Sequence, residues 1–302
     1  MSAIEFGPVW RSLLYVPVNV ERYVAKAHTR GADAVILDLE DSVPLAAKSD
    51  ARGMVQEAAA RVSRGGADVV VRINRPLQHA VPDIEACVST AVSTLWVAKT
   101  ASASHIRLIA DLVDELEGER GIPIGHTRLI AQVETADAFH TMRETAAAHP
   151  RIVAMGLGSE DFALSLGMEP LPDAFQAPKQ EALIAARAAK VTPLGLIGSV
   201  ADFSDLAEMR RILETSQRFG FEGAAGIHPA VVPILNEVFS PTGQEVADAK
   251  RIVAAFETAV AESRASLEVD GKMIDYPVVA RAEQVIARDD AIRRRAARTA
   301  KP

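Results

Sequence analysis

Two acidic side chains each follow an apolar segment in the middle of the chain. Glu134 directly follows the run 129–133, and Asp161 comes shortly after the run 152–155 and two glycines. If both runs are parallel strands joined by a helix, their carboxyl ends lie side by side, where α/β barrels carry catalytic groups. Carboxylate oxygens on an open face beside glycine suit Mg²⁺ and leave positions for substrate and water. The pattern predicts a magnesium site, although Glu134 could instead cap the next helix and Asp161 could be solvated.

Charged residues also end the other predicted strands. They are Asp38, Glu40 and Asp41 after the second strand, Arg72 after the third and Lys99 after the fourth. Because these strand ends share one rim of a barrel, the rim is suited to a polar or anionic small molecule.

Each of these residues also has a structural interpretation. Asp38 could simply fix Arg72 by a bidentate ion pair, and Glu40 could cap the next helix together with its neighbour Asp41. Lys99 is interpreted as structural. His228, before a proline, is interpreted as a hydrogen-bonded fixture rather than a base.

The elements that must position these residues alternate along the chain. Short apolar strands without period-two alternation are typical of parallel strands covered on both faces. Eight strand–helix units predict a (β/α)₈ TIM barrel over residues 1–239, and residues 240–302 are assigned to a C-terminal helical extension. The predicted strands are 11–17, 34–37, 69–73, 95–97, 129–133, 152–155, 194–198 and 223–227. Helices are predicted at 21–30, 46–63, 84–92, 104–119, 177–190, 205–219, 244–265 and 278–286, and the basic tail 293–301 as a solvated end.

Composition narrows the class of protein. The chain has 302 residues, 49% of them hydrophobic, which suffices for one large domain with an appendage. Its net charge of −7 gives no electrostatic footprint for nucleic acid or an anionic membrane. There is no apolar run of membrane-spanning length and no signal-peptide pattern. Cys87 is the single cysteine and is expected to be buried and inert, so a cytoplasmic location is expected.

Seven ordered motifs carry a family resemblance over residues 10–290. They are RSLLYVP, DAVILDLEDSV, VVRIN, AQVETADAF, GLGSEDFALSLG, GIHPAVVPILNEVFSP and DGKMIDYPVVARAE. Together they resemble the citrate lyase beta-subunit-like and malyl-CoA lyase group of the aldolase/citrate lyase superfamily.

The resemblance implies roles for individual residues. Glu134 and Asp161 match the two Mg²⁺ carboxylates, which also hold the substrate. Arg72 matches the arginine that binds the acyl substrate and stabilises the enolate oxygen, with Asp38 beside it as a further catalytic candidate. Two other residues, Tyr15 and Lys26, fall where relatives contact CoA.

The resemblance also implies an assembly. Asp275 matches an aspartate that a neighbouring subunit places over the active site, which makes it a candidate general base. A homo-oligomer, either a trimer or a hexamer, is therefore expected.

The implied reaction is Mg²⁺-dependent carbon–carbon bond cleavage or formation. An acyl-CoA and a 2-oxo acid would combine to a 3-hydroxyacyl-CoA such as citryl-, malyl- or citramalyl-CoA. Alternatives are an acyl-CoA thioesterase on the same site, a CoA-independent 2-oxo acid aldolase, and a binding protein.

The chain departs from the family pattern at several positions. Val18 and Val20 replace a usual glycine and arginine, and Ala101 replaces a glutamate after the fourth strand. Lys179 replaces an arginine, and Ile197 lies near a usual aspartate. These changes leave the metal residues and Arg72 in place and affect mainly the expected CoA contacts.

Overall fold

Eight parallel strands form the centre of the fold, in a computed structural model that describes residues 7–199 and 204–299. The strand order is β7-β6-β5-β4-β3-β2-β1-β8, and an isolated parallel bridge between Leu194 and Gly223 joins the two edges of the sheet. The sheet is therefore a nearly closed barrel, as predicted. The strands are β1 (Ser12–Pro17), β2 (Ala34–Asp38), β3 (Asp68–Ile73), β4 (Thr94–Val97), β5 (Arg128–Val133), β6 (Ile152–Leu157), β7 (Thr192–Leu194) and β8 (Ala224–Gly226).

Helices alternate with the strands along the barrel. They are α1 (Glu21–Ala27), α2 (Lys48–Val62), α3 (Leu77–Cys87), α4 (Ala103–Glu119), α5 (Ala136–His140), α6 (Met142–Ala146), α7 (Ser159–Leu166), α8 (Pro172–Ala188), α9 (Leu206–Phe219) and α10 (Val232–Val238). Asp205 begins α9 by accepting hydrogen bonds from the backbone N–H of Ala207 and of Glu208, both at 2.9 Å.

Alternate residues of one strand belong to two different apolar cores. In β2, Val35 and Leu37 join the cluster formed with the surrounding helices, whereas Ala34 and Ile36 join the cluster inside the barrel. Both faces are apolar because both are covered, which explains why the strand sequences lack alternation. The charged side chains Asp38, Arg72 and Glu134 lie at or directly after the carboxyl ends of their strands.

The closure of the barrel depends on a close backbone approach at Gly223. A Cβ atom at this position would lie 1.8 Å from the carbonyl oxygen of Trp10. Glycine is therefore required here, and its carbonyl accepts a hydrogen bond from the Gly195 N–H at 2.9 Å.

A second compact unit contains the described residues from Ser240 onward. It consists of α11 (Gly243–Ala261), the antiparallel hairpin β9 (Leu267–Val269) and β10 (Lys272–Ile274), and α12 (Tyr276–Thr299). Phe256, Ile274 and Val279 form its buried cluster, and the ring of Phe256 contacts Tyr276 edge-on at 5.0 Å. A capping box between Thr242 and Glu245 begins α11.

Several predicted boundaries were wrong. The third helix of the barrel is α3, not 84–92, with Pro82 inside it, and β7 ends at Leu194 instead of continuing to 198. Gly195 and Gly198 have φ values of 148° and 147°, a conformation that ends the strand. Helix α12 extends beyond the predicted end at 286 to Thr299. It includes residues 293–299 of the basic tail, most of which are exposed as predicted, and residues 300–301 of the tail lie outside the described part of the chain.

Candidate active site

The carboxyl ends of the strands surround one cleft of about 680 Å³. Six residues predicted from the sequence line it: Tyr15, Lys26, Asp38, Arg72, Glu134 and Asp161. Their grouping follows from parallel topology, since every strand ends on the same rim.

Arg72 is fixed in place by a two-pronged ion pair. Its Nε and Nη2 each donate to a different carboxylate oxygen of Asp38 at 2.7 Å. Its Nη1 lies 3.0 Å from Glu40 Oε2, and the guanidinium carbon lies 4.8 Å from the ring centre of Tyr15. This geometry holds a planar cation in one orientation at the floor of the cleft.

Asp38 is fully engaged in holding this arginine. Its two oxygens also accept hydrogen bonds from the backbone N–H of Glu40 at 2.9 Å and of Ser42 at 3.1 Å. Burial would raise the pKa of Asp38, but its hydrogen bonds and the charge of Arg72 lower it below the usual range. These contacts support a role in positioning Arg72 rather than in proton transfer.

A further set of contacts holds the turn after β2. Lys48 Nζ donates to the carbonyl oxygens of Leu39 at 2.9 Å and Glu40 at 2.8 Å, and Asn74 Nδ2 donates to Leu39 O at 2.9 Å. Asn74 in turn contacts the fully buried Asp83 at 2.6 Å. The sequence interpretation gave no role to Asn74 or Asp83, because their contacts join segments remote in sequence.

Glu134 is 2% exposed, and both of its carboxylate oxygens are oriented by neighbours. Its Oε2 accepts a hydrogen bond from the Lys99 backbone N–H at 2.7 Å, and its Oε1 accepts one from Gln132 Nε2 at 2.8 Å. A Cβ atom at Gly158 would lie 2.5 Å from Oε1, so only glycine leaves room for the carboxylate. Burial raises the pKa of Glu134, and the charge of Asp161 raises it further.

Asp161 lies in the first turn of α7 and is more open to solvent, with 36% of its side chain exposed. The ammonium group of Lys99 lies 3.8 Å from its Oδ1. Glu134 and Asp161 thus combine hard oxygen donors with excess negative charge, which suits a divalent cation such as Mg²⁺. Among residues 7–199 and 204–299 there is no cluster of three or more acidic, histidine or cysteine ligands, so substrate and water would complete the coordination.

The Lys99 side chain lies between the acidic residues that follow β2 and Asp161 of α7. Its backbone is left-handed, with φ 48°, which is strained for a non-glycine residue. Its Nζ contacts Glu40 and lies 3.3 Å from Asp41 Oδ1. Burial opposes the charge, but the hydrogen bond from Lys99 to Glu40 raises the lysine pKa above its usual range. The structural interpretation of Lys99 agrees with these contacts.

A row of cations lies along the wall of the cleft. Arg22 and Lys26 are four residues apart and share one face of α1, and Arg30, in the turn after the helix, lines the same cleft. The sequence interpretation named only Lys26, although the same spacing would have found the two arginines. Val18 is buried in the core, and neither Val18 nor Val20 lines the cleft.

Three remaining candidates occupy defined positions. His228 accepts a hydrogen bond from the Ala230 backbone N–H at 3.2 Å, consistent with a fixture, and also lines the cleft. Cys87 is buried, and burial raises its thiol pKa well above the usual range, consistent with an inert side chain. Asp275 belongs to the C-terminal unit and caps α12, where its Oδ1 accepts a hydrogen bond from the Val278 N–H at 3.3 Å.

None of the helices in the described part of the chain combines the length and apolar character needed to cross a membrane.

Comparison with known proteins identifies relatives of the whole chain. Citrate lyase subunit beta of Leuconostoc mesenteroides subsp. cremoris is 31% identical over 279 residues, covering 91% of this chain and 92% of the relative. A (3S)-malyl-CoA thioesterase of Cereibacter sphaeroides (strain ATCC 17029 / ATH 2.4.9) is 34% identical over 286 residues, covering 94% and 95%.

A solved structure is similar as well. The protein CitE from Mycobacterium tuberculosis, in complex with magnesium, acetoacetate and coenzyme A, superposes with a TM-score of 0.73 and 28% identity, covering 94% of this chain and 98% of that one. Residues 11–229 match the HpcH/HpaI aldolase/citrate lyase family, whose CitE structures contain magnesium. The chain belongs to the HpcH/HpaI aldolase/citrate lyase family.

Proposed function

We propose that the protein is a Mg²⁺-dependent carbon–carbon lyase that cleaves or forms a 3-hydroxyacyl-CoA, with an acyl-CoA and a 2-oxo acid as the other partners. The observation that carries the proposal is the pairing, in one cleft, of a rigidly held arginine with two incompletely neutralised carboxylates. Citrate lyase beta subunits among the relatives support the lyase reaction.

Glu134 and Asp161 are the residues that would hold the cation. When bound there, Mg²⁺ supplies Lewis-acid polarisation of the keto group of the 2-oxo acid. Gln132 and the Lys99 backbone N–H keep the Glu134 carboxylate turned toward the cleft.

Arg72 is suited to stabilise negative charge that develops on the acyl oxygen. Its guanidinium is held by Asp38 and by the Tyr15 ring, so it does not need to reorganise when the charge appears. Burial raises the pKa of the Tyr15 phenol above its usual range, so Tyr15 remains a neutral hydrogen-bond donor.

The row Arg22, Lys26 and Arg30 is suited to the phosphates of an acyl-CoA, because arginine and lysine bind phosphate oxygens by charge-assisted hydrogen bonds. CitE, which binds coenzyme A, supports this assignment. Removal of a proton from the acyl methyl group is assigned to Asp275 of a neighbouring subunit in a homo-oligomer. The motif resemblance supports this assignment.

Thioester hydrolysis is the second candidate, because relatives 34% identical are (3S)-malyl-CoA thioesterases. In that reaction water would attack the acyl carbon at the same arginine. In carbon–carbon bond formation, by contrast, the acyl enolate attacks the keto carbon of the 2-oxo acid. The two activities would therefore share Arg72 and the cation site but differ in both the nucleophile and the carbon that it attacks.

The test is to mix the protein with Mg²⁺, acetyl-CoA and each of glyoxylate, pyruvate and oxaloacetate. A lyase forms a 3-hydroxyacyl-CoA, a thioesterase releases free CoA without a carbon–carbon product, and a binding protein does neither. Glu160→Gln is a matched control, since Glu160 lines the cleft but contacts Ser199 instead of the proposed metal ligands. The lyase proposal would be overturned if the protein neither forms a carbon–carbon bond with any of the three acids nor cleaves the corresponding 3-hydroxyacyl-CoA.

A further inference from the structure

A second, smaller cavity lies against the active-site cleft on its barrel side. Its volume is about 90 Å³, room for only a few water molecules. Tyr15, Gln132, Gly158, Ser159 and Glu160 line both spaces. Trp96 and Leu194, from the apolar cluster inside the barrel, also line the small cavity, so it extends from the cleft into the barrel interior.

Lys179 lines this cavity and is 2% exposed. It reaches inward from α8, its Nζ donates to the carbonyl oxygen of Leu157 at the end of β6, and the ammonium lies 5.5 Å from the Phe175 ring centre. None of the ion pairs among the described residues includes Lys179. Burial lowers its pKa to about 7, although the charge of Glu134 opposes this shift. A buried lysine without an ion pair is costly in a protein interior.

Trp96, which also lines the cavity, carries a second hydrogen-bond donor. The indole N–H of Trp96 is buried and has no hydrogen-bond partner in the described structure. Buried polar groups are rarely left unpaired in folded proteins. Two donors, one of them cationic, thus line a space of the size of a small acidic group.

The proposed reaction defines which part of a substrate would face this space. The acyl-CoA would approach the keto carbon from the open cleft, and the carboxylate and keto oxygen of the 2-oxo acid would be held at the cation site of Glu134 and Asp161. The substituent on the keto carbon is then assigned to the remaining side, where the small cavity adjoins the cleft.

On the basis of the proposed function, we propose that the cavity at Lys179 and Trp96 receives the substituent of the 2-oxo acid and that Lys179 selects a carboxylate there. The preferred partner is therefore a short 2-oxo dicarboxylic acid. Acids with hydrogen or methyl at that position leave Lys179 without a counter-ion and bind less tightly.

The experiment measures equilibrium binding, so it does not depend on turnover. With saturating Mg²⁺, calorimetry compares racemic malate, racemic lactate and oxalate. Malate and lactate both offer a hydroxyl and an adjacent carboxylate to the metal, and malate has one further carboxylate on its side chain. Oxalate measures metal chelation alone, because it has no side chain. Wild-type protein is expected to bind malate about 10- to 100-fold more tightly than lactate, the range for hydrogen bonds to charged groups.

Lys179→Met removes the charge with little change in shape and is expected to abolish the malate preference while lactate and oxalate bind as in wild type. Lys250→Met, an exposed lysine on α11, is the control and should leave all three affinities unchanged. Trp96→Phe should reduce the malate preference by a smaller factor.

Equal affinity for malate and lactate in wild type, or a malate preference that survives in Lys179→Met, overturns the proposal. Failure of wild type to bind oxalate with Mg²⁺ also overturns it, because the chelating site is then misplaced. Absence of carbon–carbon bond chemistry together with a Lys179-dependent malate preference refutes the lyase reaction alone.

Discussion

Two buried groups of charged residues lie at opposite ends of the barrel and are built differently. At the amino-terminal end, Arg151 contacts Asp114 and Glu117 and donates to Thr127 O at 2.7 Å. Glu117 also accepts backbone hydrogen bonds from Gly125 at 2.7 Å and Thr127 at 2.6 Å. Every charge in this group has partners.

At the carboxyl-terminal end, the charges are ordered but not balanced. Arg72 and Asp38 form a complete pair, whereas the charge of Asp161 raises the pKa of Glu134, and the nearest approach of Lys99 Nζ to Asp161 is 3.8 Å. The comparison indicates that one end of the barrel uses buried charge for stability and the other retains unbalanced charge for a ligand. Substitutions at the two ends should therefore have different consequences.

The largest effect is expected for Glu134→Gln. Loss of a metal ligand should abolish measurable Mg²⁺ binding and lower kcat/KM by at least about 1,000-fold, as for other groups on which charge stabilisation depends. The melting temperature should change little, because the substitution removes a buried charge that Asp161 repels but also replaces one of the two acceptor oxygens by a donor. Calorimetry with Mg²⁺ and thermal unfolding measure both. Retained Mg²⁺ affinity would show that Glu134 is not a metal ligand. The control variant Glu160→Gln should bind Mg²⁺ as wild type does.

Arg72→Lys should have the next largest effect on activity. Lysine keeps the charge but cannot form the bidentate contact with Asp38, so the charge is no longer held in one place. We expect kcat/KM to fall about 100- to 1,000-fold. Mg²⁺ affinity should be unchanged, since Arg72 contacts neither Glu134 nor Asp161 within hydrogen-bond distance. Kinetics near wild type would show that the fixed orientation of Arg72 is unimportant.

Arg151→Met should show the opposite pattern to Glu134→Gln. It leaves the buried Glu117 without its counter-ion, which costs about 3–5 kcal/mol when one partner of a buried pair is removed. Urea unfolding measures the loss, and activity per folded molecule should remain at the wild-type level. Arg187→Met breaks a pair at the surface, where Arg187 is 48% exposed, and should cost about 0–1 kcal/mol. Equal losses in the two variants would contradict the stability role of Arg151.

The pH dependence of Glu117 gives a smaller test of the same network. Burial would raise its pKa, but the hydrogen bonds from Arg151 and the backbone lower it below the usual value. An acid with a lowered pKa in the folded state stabilises the protein above its unfolded pKa, about 4.3, and this contribution is lost as pH falls through the folded pKa. The free energy of unfolding of wild type should therefore exceed that of Glu117→Gln most at neutral pH, and the difference should shrink below about pH 4. An exposed control, Glu57→Gln, should show no such change.

Local patterns predicted the barrel and four residues of the cleft, Asp38, Arg72, Glu134 and Asp161, whereas Tyr15 and Lys26 were predicted only from the family resemblance. An apolar run followed by a charged residue is visible in 129–134 without knowledge of contacts. The left-handed Lys99 and the glycines that end β7 were not predictable, because those conformations result from closing the barrel. Lys179 was noted only as a departure. Its inward reach from α8 to Leu157 depends on how a helix packs between two strands, which no local pattern records.

The smallest expected change in activity is a partial recovery in mixtures of two inactive proteins, which tests the role of Asp275 in the C-terminal unit. Asp275 caps α12 in the structure, and a cap alone would make it a local stabilising residue. Asparagine caps about as well as aspartate but cannot accept a proton as a base, so Asp275→Asn separates the two roles. If the site takes Asp275 from a neighbouring subunit, Asp275→Asn and Glu134→Gln proteins are each inactive, and equal mixtures regain about a quarter of wild-type activity, since one composite site in four then has both residues intact. Subunit exchange is verified with differently tagged proteins. If the Asp275→Asn protein has wild-type activity, Asp275 acts only as a helix cap. If mixtures with verified subunit exchange stay inactive, Asp275 acts within the site of its own subunit.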